Sequence, residues 1–74
     1  MEVEVRLFAG FRVGRFRRRT LDLPDQMSLG DLLARLDIPR EKVSLPLING
    51  RFSRLDTSLA AGDVVSVFPA IGGG

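Results

Sequence analysis

The chain closes with the stretch that decides how the rest is interpreted, Val64-Val65-Ser66-Val67-Phe68-Pro69-Ala70-Ile71-Gly72-Gly73-Gly74. Its first five residues are mostly β-branched and predict a buried strand, and Pro69 ends the strand's hydrogen-bond ladder because proline has no N–H donor. Residues 70–74 are expected to form a flexible, glycine-rich tail. Fully extended, this tail reaches about 17 Å, and its last glycines are narrow enough to enter a channel in another protein. A frayed terminus is the alternative interpretation.

Two further strands are predicted in the first third of the chain. Residues 2–8 alternate strictly, with Val3, Val5 and Leu7 on one face, which is typical of a half-buried strand. Alternation resumes over residues 15–23 and predicts a second, antiparallel strand. Its first half is rich in arginine, which favours a position at the edge of the sheet.

One helix is predicted after the turn at Pro24. Ser28, followed three residues later by Asp31, is a helix-start signal that resembles a capping box. Leucines at helical spacing then provide one apolar stripe, and Asp31 and Arg35 are placed to form an exposed i,i+4 ion pair. The helix is expected to end near Asp37, because Pro39 disfavours helical geometry at the residue before it.

The remaining strands complete a small mixed sheet. Residues 43–48 predict a third strand in which Pro46 indicates an edge or a bulge, and Asn49-Gly50 predicts a tight hairpin to a short fourth strand at 51–53. With the strand at 64–68, the order predicts an α+β fold in one domain, residues 1–69. The sheet has four or five strands, and the main helix packs on one face. A right-handed crossover is expected to return the third strand to the sheet of the first two.

Composition excludes most kinds of catalytic site. The 74 residues contain no cysteine and no histidine, which removes thiolate nucleophiles, the commonest general base and the usual zinc ligands. No metal site and no catalytic side chain are therefore expected. Apolar runs are too short to span a bilayer, and the start of the chain lacks the pattern of a secretory signal, so a cytoplasmic protein without membrane contact is expected.

The basic residues are concentrated in one place. The formal net charge is only +2, but four arginines fall within Arg15-Phe16-Arg17-Arg18-Arg19, whereas the acidic residues are scattered. A solvated strand edge is favoured over contact with nucleic acid, because no RNA-binding motif accompanies the run. An acidic surface on a partner protein is the intermediate interpretation.

Three fragments in this order, Leu47-Ile48-Asn49-Gly50-Arg51, Ala61-Gly62-Asp63-Val64-Val65 and the ending Val67 to Gly74, resemble the MoaD/ThiS family of sulfur carriers. The opening Val5-Arg6-Leu7-Phe8-Ala9 is also similar to this family, so the resemblance covers essentially the whole chain. It implies the ubiquitin-like β-grasp fold. Phe68-Pro69 before the glycines favours the branch of the small subunit of molybdopterin synthase.

The resemblance also implies a function without catalysis by the chain itself. A partner enzyme related to ubiquitin-activating enzymes consumes ATP to adenylate the terminal carboxylate, and a sulfur donor protein then converts the adenylate to a thiocarboxylate. On this chain, Gly74 carries the reactive carboxyl, while Gly73 and Gly72 belong to the tail. Three glycines depart from the usual diglycine ending, so Gly73 is an alternative terminus. No tightly bound cofactor is expected.

The resemblance further implies that the chain docks on its partners through an apolar patch on the open face of the sheet. The candidate residues are Phe8, Phe52 and Phe68, and the larger subunit of molybdopterin synthase is the expected acceptor of the sulfur-loaded tail. Carriers for thiamine, tungstopterin or tRNA thiolation, a ubiquitin-like protein modifier and a small basic binding module remain as alternatives.

Overall fold

A computed structural model describes residues 1–70 of the chain. Its five strands form one sheet in the order β2-β1-β5-β3-β4, accompanied by one α-helix. The elements are β1 (Glu2–Leu7), β2 (Arg18–Asp22), α1 (Leu29–Arg35), β3 (Val43–Ile48), β4 (Arg51–Phe52) and β5 (Val64–Pro69). Short 3-10 helices occupy Ala9–Arg12 and Arg40–Lys42. The predicted mixed sheet with one main helix is confirmed.

The sheet is mixed because its two central strands run parallel. β1 pairs with β5 in parallel, from Glu4 opposite Val64 to Leu7 opposite Val67. All other neighbours are antiparallel. The C-terminal ends of β1 and β5 therefore lie at the same end of the sheet, from which the chain continues towards the glycines.

The core lies between the sheet and α1. The inward-facing residues of the two central strands, Val3, Val5, Leu7, Val65 and Val67, are all fully buried. On the other side, the predicted leucine stripe of α1 supplies Leu29, Leu32 and Leu33, whose side chains are at most 1% exposed. Strict alternation in β1 and β5 places every second side chain in this core.

The start of α1 matches its sequence signal. The Ser28 hydroxyl accepts a hydrogen bond from the Asp31 backbone N–H at 3.0 Å, and the Ser28 N–H donates to the Asp31 carboxylate at 3.3 Å. The capping box is therefore confirmed. The predicted ion pair between Asp31 and Arg35 is wrong: within residues 1–70 no such pair lies within 4.0 Å, and the Asp31 carboxylate caps the helix instead. No helix in the same range is long and apolar enough to cross a membrane.

The hairpin between β3 and β4 is the predicted two-residue turn. Asn49 and Gly50 both have positive φ angles, 54° and 81°, as a turn that follows the strand twist requires. The Asn49 side chain also donates to the Asp63 carboxylate and accepts from the Val64 backbone N–H. This turn therefore fixes the register of β4 and also holds the start of β5.

The second strand is shorter than predicted, because β2 begins at Arg18 rather than at residue 15. The guanidinium of Arg15 donates hydrogen bonds to the carbonyls of Leu36 and Asp37 at the end of α1, both at 2.8 Å, and to the carbonyl of Phe11. These bonds keep Arg15 in the loop and at the helix end. Phe16, which precedes the strand, packs partly against the core.

Candidate docking face

Helix α1 covers one face of the sheet. No element of residues 1–70 is packed in the same way over the opposite face, which we call the open face. Strand alternation places the side chains flanking the buried residues on this face, and residues directly opposite in antiparallel strands share it. Leu45 pairs with Phe68, Leu47 pairs with Ser66, and Leu47 also pairs with Phe52. Apolar side chains from three strands therefore meet on the open face.

Two phenylalanines form the centre of this surface. Phe8 directly follows β1 and Phe68 lies near the end of β5, and their rings stack with centroids 4.0 Å apart and planes 10° from parallel. The parallel pairing of β1 and β5 brings the two rings together, because Leu7 is opposite Val67. Both side chains are half-buried, so each keeps part of its ring accessible.

The apolar surface extends from this stack across β3 to β4. Phe52 is 67% exposed and Leu45 is 40% exposed, which is unusual for large apolar side chains unless the surface is used for contact. We call the five residues Phe8, Leu45, Leu47, Phe52 and Phe68 the apolar patch. It contains the three phenylalanines predicted from the sequence, and their role in docking stays a prediction.

Leu45 and Leu47 were missed because both faces of β3 are apolar, so its alternation does not indicate which face is buried. The Asn49-Gly50 turn contains the missing information. A two-residue hairpin fixes the pairing of Leu47 with Phe52, and an exposed Phe52 then places Leu47 on the open face.

The Phe8–Phe68 stack of the apolar patch lies at the end of the sheet where β5 ends, and the rest of the patch extends back along β3 and β4. Pro69 is the last residue of β5, and the backbone N–H of Ala70 donates to the carbonyl of Lys42 at 3.1 Å. The remaining tail residues 71–74 lie outside the described residues, and with them the predicted roles of Gly72, Gly73 and Gly74. The described residues thus end one residue after the strand that carries Phe68.

A second surface adjoins the apolar patch. Four arginines and Phe8 line an open cleft beside β1 and β2. We call this the basic cleft, formed by Arg6, Phe8, Arg12, Arg17 and Arg18. Phe8 belongs to both surfaces, so the apolar patch and the basic cleft are continuous.

The arginines of the basic cleft differ in how they are held. The Arg12 Nε donates to the Leu7 carbonyl at 2.7 Å, and its guanidinium lies 5.3 Å from the centre of the Phe8 ring. Arg6 pairs with Glu4 on the same strand. Within residues 1–70, no carboxylate lies within 4.0 Å of the guanidiniums of Arg12, Arg17 or Arg18.

The apolar patch and the basic cleft offer apolar and cationic side chains for contact with another protein. Among the residues that the structure describes, no three acidic, histidine or cysteine side chains are grouped so that they could hold a metal ion. Buried polar side-chain atoms in the same part of the chain all have hydrogen-bond partners. An apolar patch, a basic cleft and a narrow chain end together provide the elements of a protein-protein contact.

Comparison with known protein families identifies the chain. The model of the ThiS family matches residues 5–74. The chain belongs to the ThiS family. The match covers the described fold from the middle of β1 onwards together with the glycine tail, and it confirms the predicted relation to the MoaD/ThiS sulfur carriers. Members of this family are small carrier proteins.

Solved structures with the same fold include a small archaeal modifier protein and subunits of molybdopterin converting factors. SAMP1, a small archaeal modifier protein from Haloferax volcanii, is 26% identical over 100% of both chains, with a TM-score of 0.78. A putative molybdopterin converting factor subunit 1 from Pyrococcus furiosus is 28% identical, covering 96% of this chain and 99% of its own, also with a TM-score of 0.78. The chain therefore has the ubiquitin-like β-grasp fold.

A third similar structure contains a partner subunit. It is the complex of subunits 1 and 2 of the molybdopterin-converting factor from Helicobacter pylori, in which the matched chain is 28% identical over 100% of both chains with a TM-score of 0.64. No curated protein sequence was significantly similar to this chain. Taken together, the matches define a sulfur carrier or a ubiquitin-like modifier.

Proposed function

We propose that this ThiS-family protein is a sulfur carrier for molybdopterin synthesis. Its C-terminal glycine, Gly74, is activated by an adenylating enzyme related to ubiquitin-activating enzymes. The sulfur-loaded tail is then inserted into a larger catalytic subunit. The protein itself contributes a folded docking surface and a substrate-like tail, while ATP is consumed by the activating partner.

The proposed chemistry requires no catalytic side chain on the carrier. An α-carboxylate with a pKa of about 3.5 is ionised at neutral pH and is a poor electrophile. Attack of the carboxylate on the α-phosphorus of ATP forms the acyl adenylate and releases pyrophosphate. A hydrosulfide equivalent from the sulfur donor protein then attacks the acyl carbon, AMP departs, and the thiocarboxylate remains.

The observation that supports this proposal most directly is the position of the apolar patch. The Phe8–Phe68 stack lies where β5 ends, and the chain continues from there towards the three glycines. A partner that covers the patch is therefore close to the start of the tail. Gly72, Gly73 and Gly74 have no side chains, so they fit a narrow channel and tolerate bends that other residues disfavour.

Phe8, Phe52 and Phe68 are proposed as the docking residues for the larger subunit. Large aromatic side chains near the centre of an interface commonly contribute most of the binding energy. The Helicobacter pylori complex of subunits 1 and 2 supports a larger subunit as the partner, because the matched chain has the same fold throughout.

A ubiquitin-like modifier is the second candidate function. It is favoured by the match to SAMP1, which extends over the full length of both chains. In this case the activated terminal carbonyl forms an isopeptide bond with a lysine amine of a target protein, and AMP is released. The two functions share activation and differ in the nucleophile that follows it.

Intact-mass spectrometry distinguishes the candidates. The purified chain is incubated with ATP, a sulfide source and the adenylating enzyme of the same organism, with ATP omitted in the control. A sulfur carrier gains the mass of one sulfur-for-oxygen exchange at its terminus, located to Gly74 or Gly73 by fragment analysis. Adducts to other proteins in an extract indicate the modifier, and an unchanged mass contradicts both.

A further inference from the structure

Within residues 1–70, the positive charge of the basic cleft is only partly balanced by acidic side chains. Arg12, Arg17 and Arg18 have no carboxylate within 4.0 Å among residues 1–70, and no acidic residue lines the cleft. Arg18 is directly opposite Arg6 in the β1–β2 ladder, and like charges in this arrangement destabilise a sheet. Folding alone therefore does not account for this concentration of arginines.

The position of the basic cleft indicates which partner protein lies against it in a complex. Arg6 is at the C-terminal half of β1 and is paired with Ser66 of β5, and Arg18 begins β2 opposite Arg6. The arginines thus lie at the end of the sheet where β5 leads into the tail. Since Phe8 lines both surfaces, a protein that covers the apolar patch and takes up the tail also adjoins the cleft.

We infer that the basic cleft is a docking site for an acidic surface on the protein that receives the glycine tail. That surface carries several aspartate or glutamate side chains beside an apolar pocket. This inference rests on the proposed function and adds the charge of the partner to it. Guanidiniums bind carboxylates through paired N–H donors, so arginine suits this contact better than lysine would.

The geometry of Arg12 favours a protein partner over a nucleic acid. Its Nε bond to Leu7 and its position over Phe8 hold the guanidinium in place before binding, which lowers the entropy cost of an ion pair across an interface. The Phe8 ring already contacts both Phe68 and Arg12. It is therefore not a free platform for the base stacking by which single strands usually bind.

The test compares two charge-reversed variants that have the same net charge. R17E/R18E changes two exposed arginines of the cleft, and neither side chain forms a hydrogen bond within residues 1–70. R35E/R51E changes two exposed arginines elsewhere, on α1 and on the helix side of β4. Circular dichroism and thermal unfolding establish that each variant folds.

Affinities are measured by calorimetry against the purified larger molybdopterin-converting subunit and the adenylating enzyme from the same organism. We expect R17E/R18E to weaken binding to at least one of them by about tenfold or more at 0.1 M NaCl, because acidic side chains then face each other. R35E/R51E should change the affinity less than about twofold. At 1 M NaCl the difference should nearly disappear, since the Debye length falls from about 10 Å to about 3 Å.

Thiocarboxylate formation, followed by intact mass, separates this inference from the proposed function. If the unmodified chain gains sulfur and R17E/R18E binds both proteins as tightly as R35E/R51E does, the inference that the basic cleft binds an acidic surface is wrong and the carrier function stands. If R17E/R18E instead loses affinity only for a short single-stranded RNA, the cleft is a nucleic-acid site and the inference is also overturned. An unmodified chain that binds neither protein and gains no sulfur overturns both proposals.

Discussion

The face of the sheet under α1 and the face opposite it differ in how completely their apolar side chains are covered. Under the helix, Val5 and Val65 are fully buried, whereas on the open face Phe52 is 67% exposed and Leu45 is 40% exposed. The same strands supply both faces through alternation. The comparison indicates that one face stabilises the fold and that the other is available for a partner, so substitutions on the two faces should separate stability from binding.

The largest effect on stability is expected from the buried face. Leu32→Ala removes a fully buried side chain from the centre of α1 and should lower the free energy of unfolding by about 2 to 5 kcal/mol. This is a large share of the roughly 5 to 15 kcal/mol that stabilises a typical domain. Urea unfolding followed by circular dichroism measures it, with the half-buried Leu36→Ala as a milder control. A loss below about 1 kcal/mol would contradict the assignment of the core.

The largest effect on binding is expected from the open face. Phe68→Ala removes half of the aromatic stack and should weaken binding to the larger subunit by about 2 kcal/mol, or roughly thirtyfold. Its effect on unfolding should be nearer 1 kcal/mol, as for loss of an aromatic pair. Val13→Ala is the matched control, since Val13 is 76% exposed but lies outside the apolar patch. Equal affinities for the two variants would remove Phe68 from the docking surface.

Within the arginine run, a smaller effect is expected, and it falls on stability rather than on binding. Arg15→Gln breaks the hydrogen bonds to the carbonyls at the end of α1 and should cost about 1 to 2 kcal/mol of stability without changing partner affinity. Arg17→Gln should leave stability within about 0.5 kcal/mol. Thermal unfolding of both variants tests the contrast. If Arg17→Gln destabilises as much as Arg15→Gln, the division of the run into structural and binding arginines fails.

The smallest effect on folding is expected from Phe52→Ala. Phe52 is on a two-residue edge strand and mostly exposed, so the free energy of unfolding should change by less than about 0.5 kcal/mol. Affinity for the larger subunit should nevertheless fall measurably. Urea unfolding and calorimetry on the same preparation provide both values. A marked loss of stability would mean that Phe52 supports the fold rather than the docking surface.

Local sequence signals predicted most of the fold, because each one specifies its own element. The alternation of β1, the capping box at Ser28 and the Asn49-Gly50 turn all have the expected geometry. The start of β2 could not be predicted in this way. It depends on the contact of Arg15 with carbonyls that are 21 and 22 residues away in the sequence, and alternation contains no information about such a contact.

Only part of the candidate site could be predicted from the sequence. As with the start of β2, the rest depends on contacts between residues that are distant in the sequence. Phe8, Phe52 and Phe68 were predicted as docking residues, which stays a prediction, but the continuity of the apolar patch depends on strand order. Arg6 and Arg12 were not predicted as part of the basic cleft, since only the pairing of β1 with β2 and the 3-10 turn after β1 bring them near Arg18. The signal available in the sequence was the run of arginines alone.

The most direct test of the central claim, that the fold serves to present the glycine tail, is deletion of Gly73 and Gly74. The melting temperature and ATP-dependent pyrophosphate exchange with the adenylating enzyme are measured on the same preparation. We expect the melting temperature to stay nearly unchanged, because a chain terminus contributes little to stability, and we expect activation to be lost. A shortened chain that is still activated, or one that unfolds, would contradict the account.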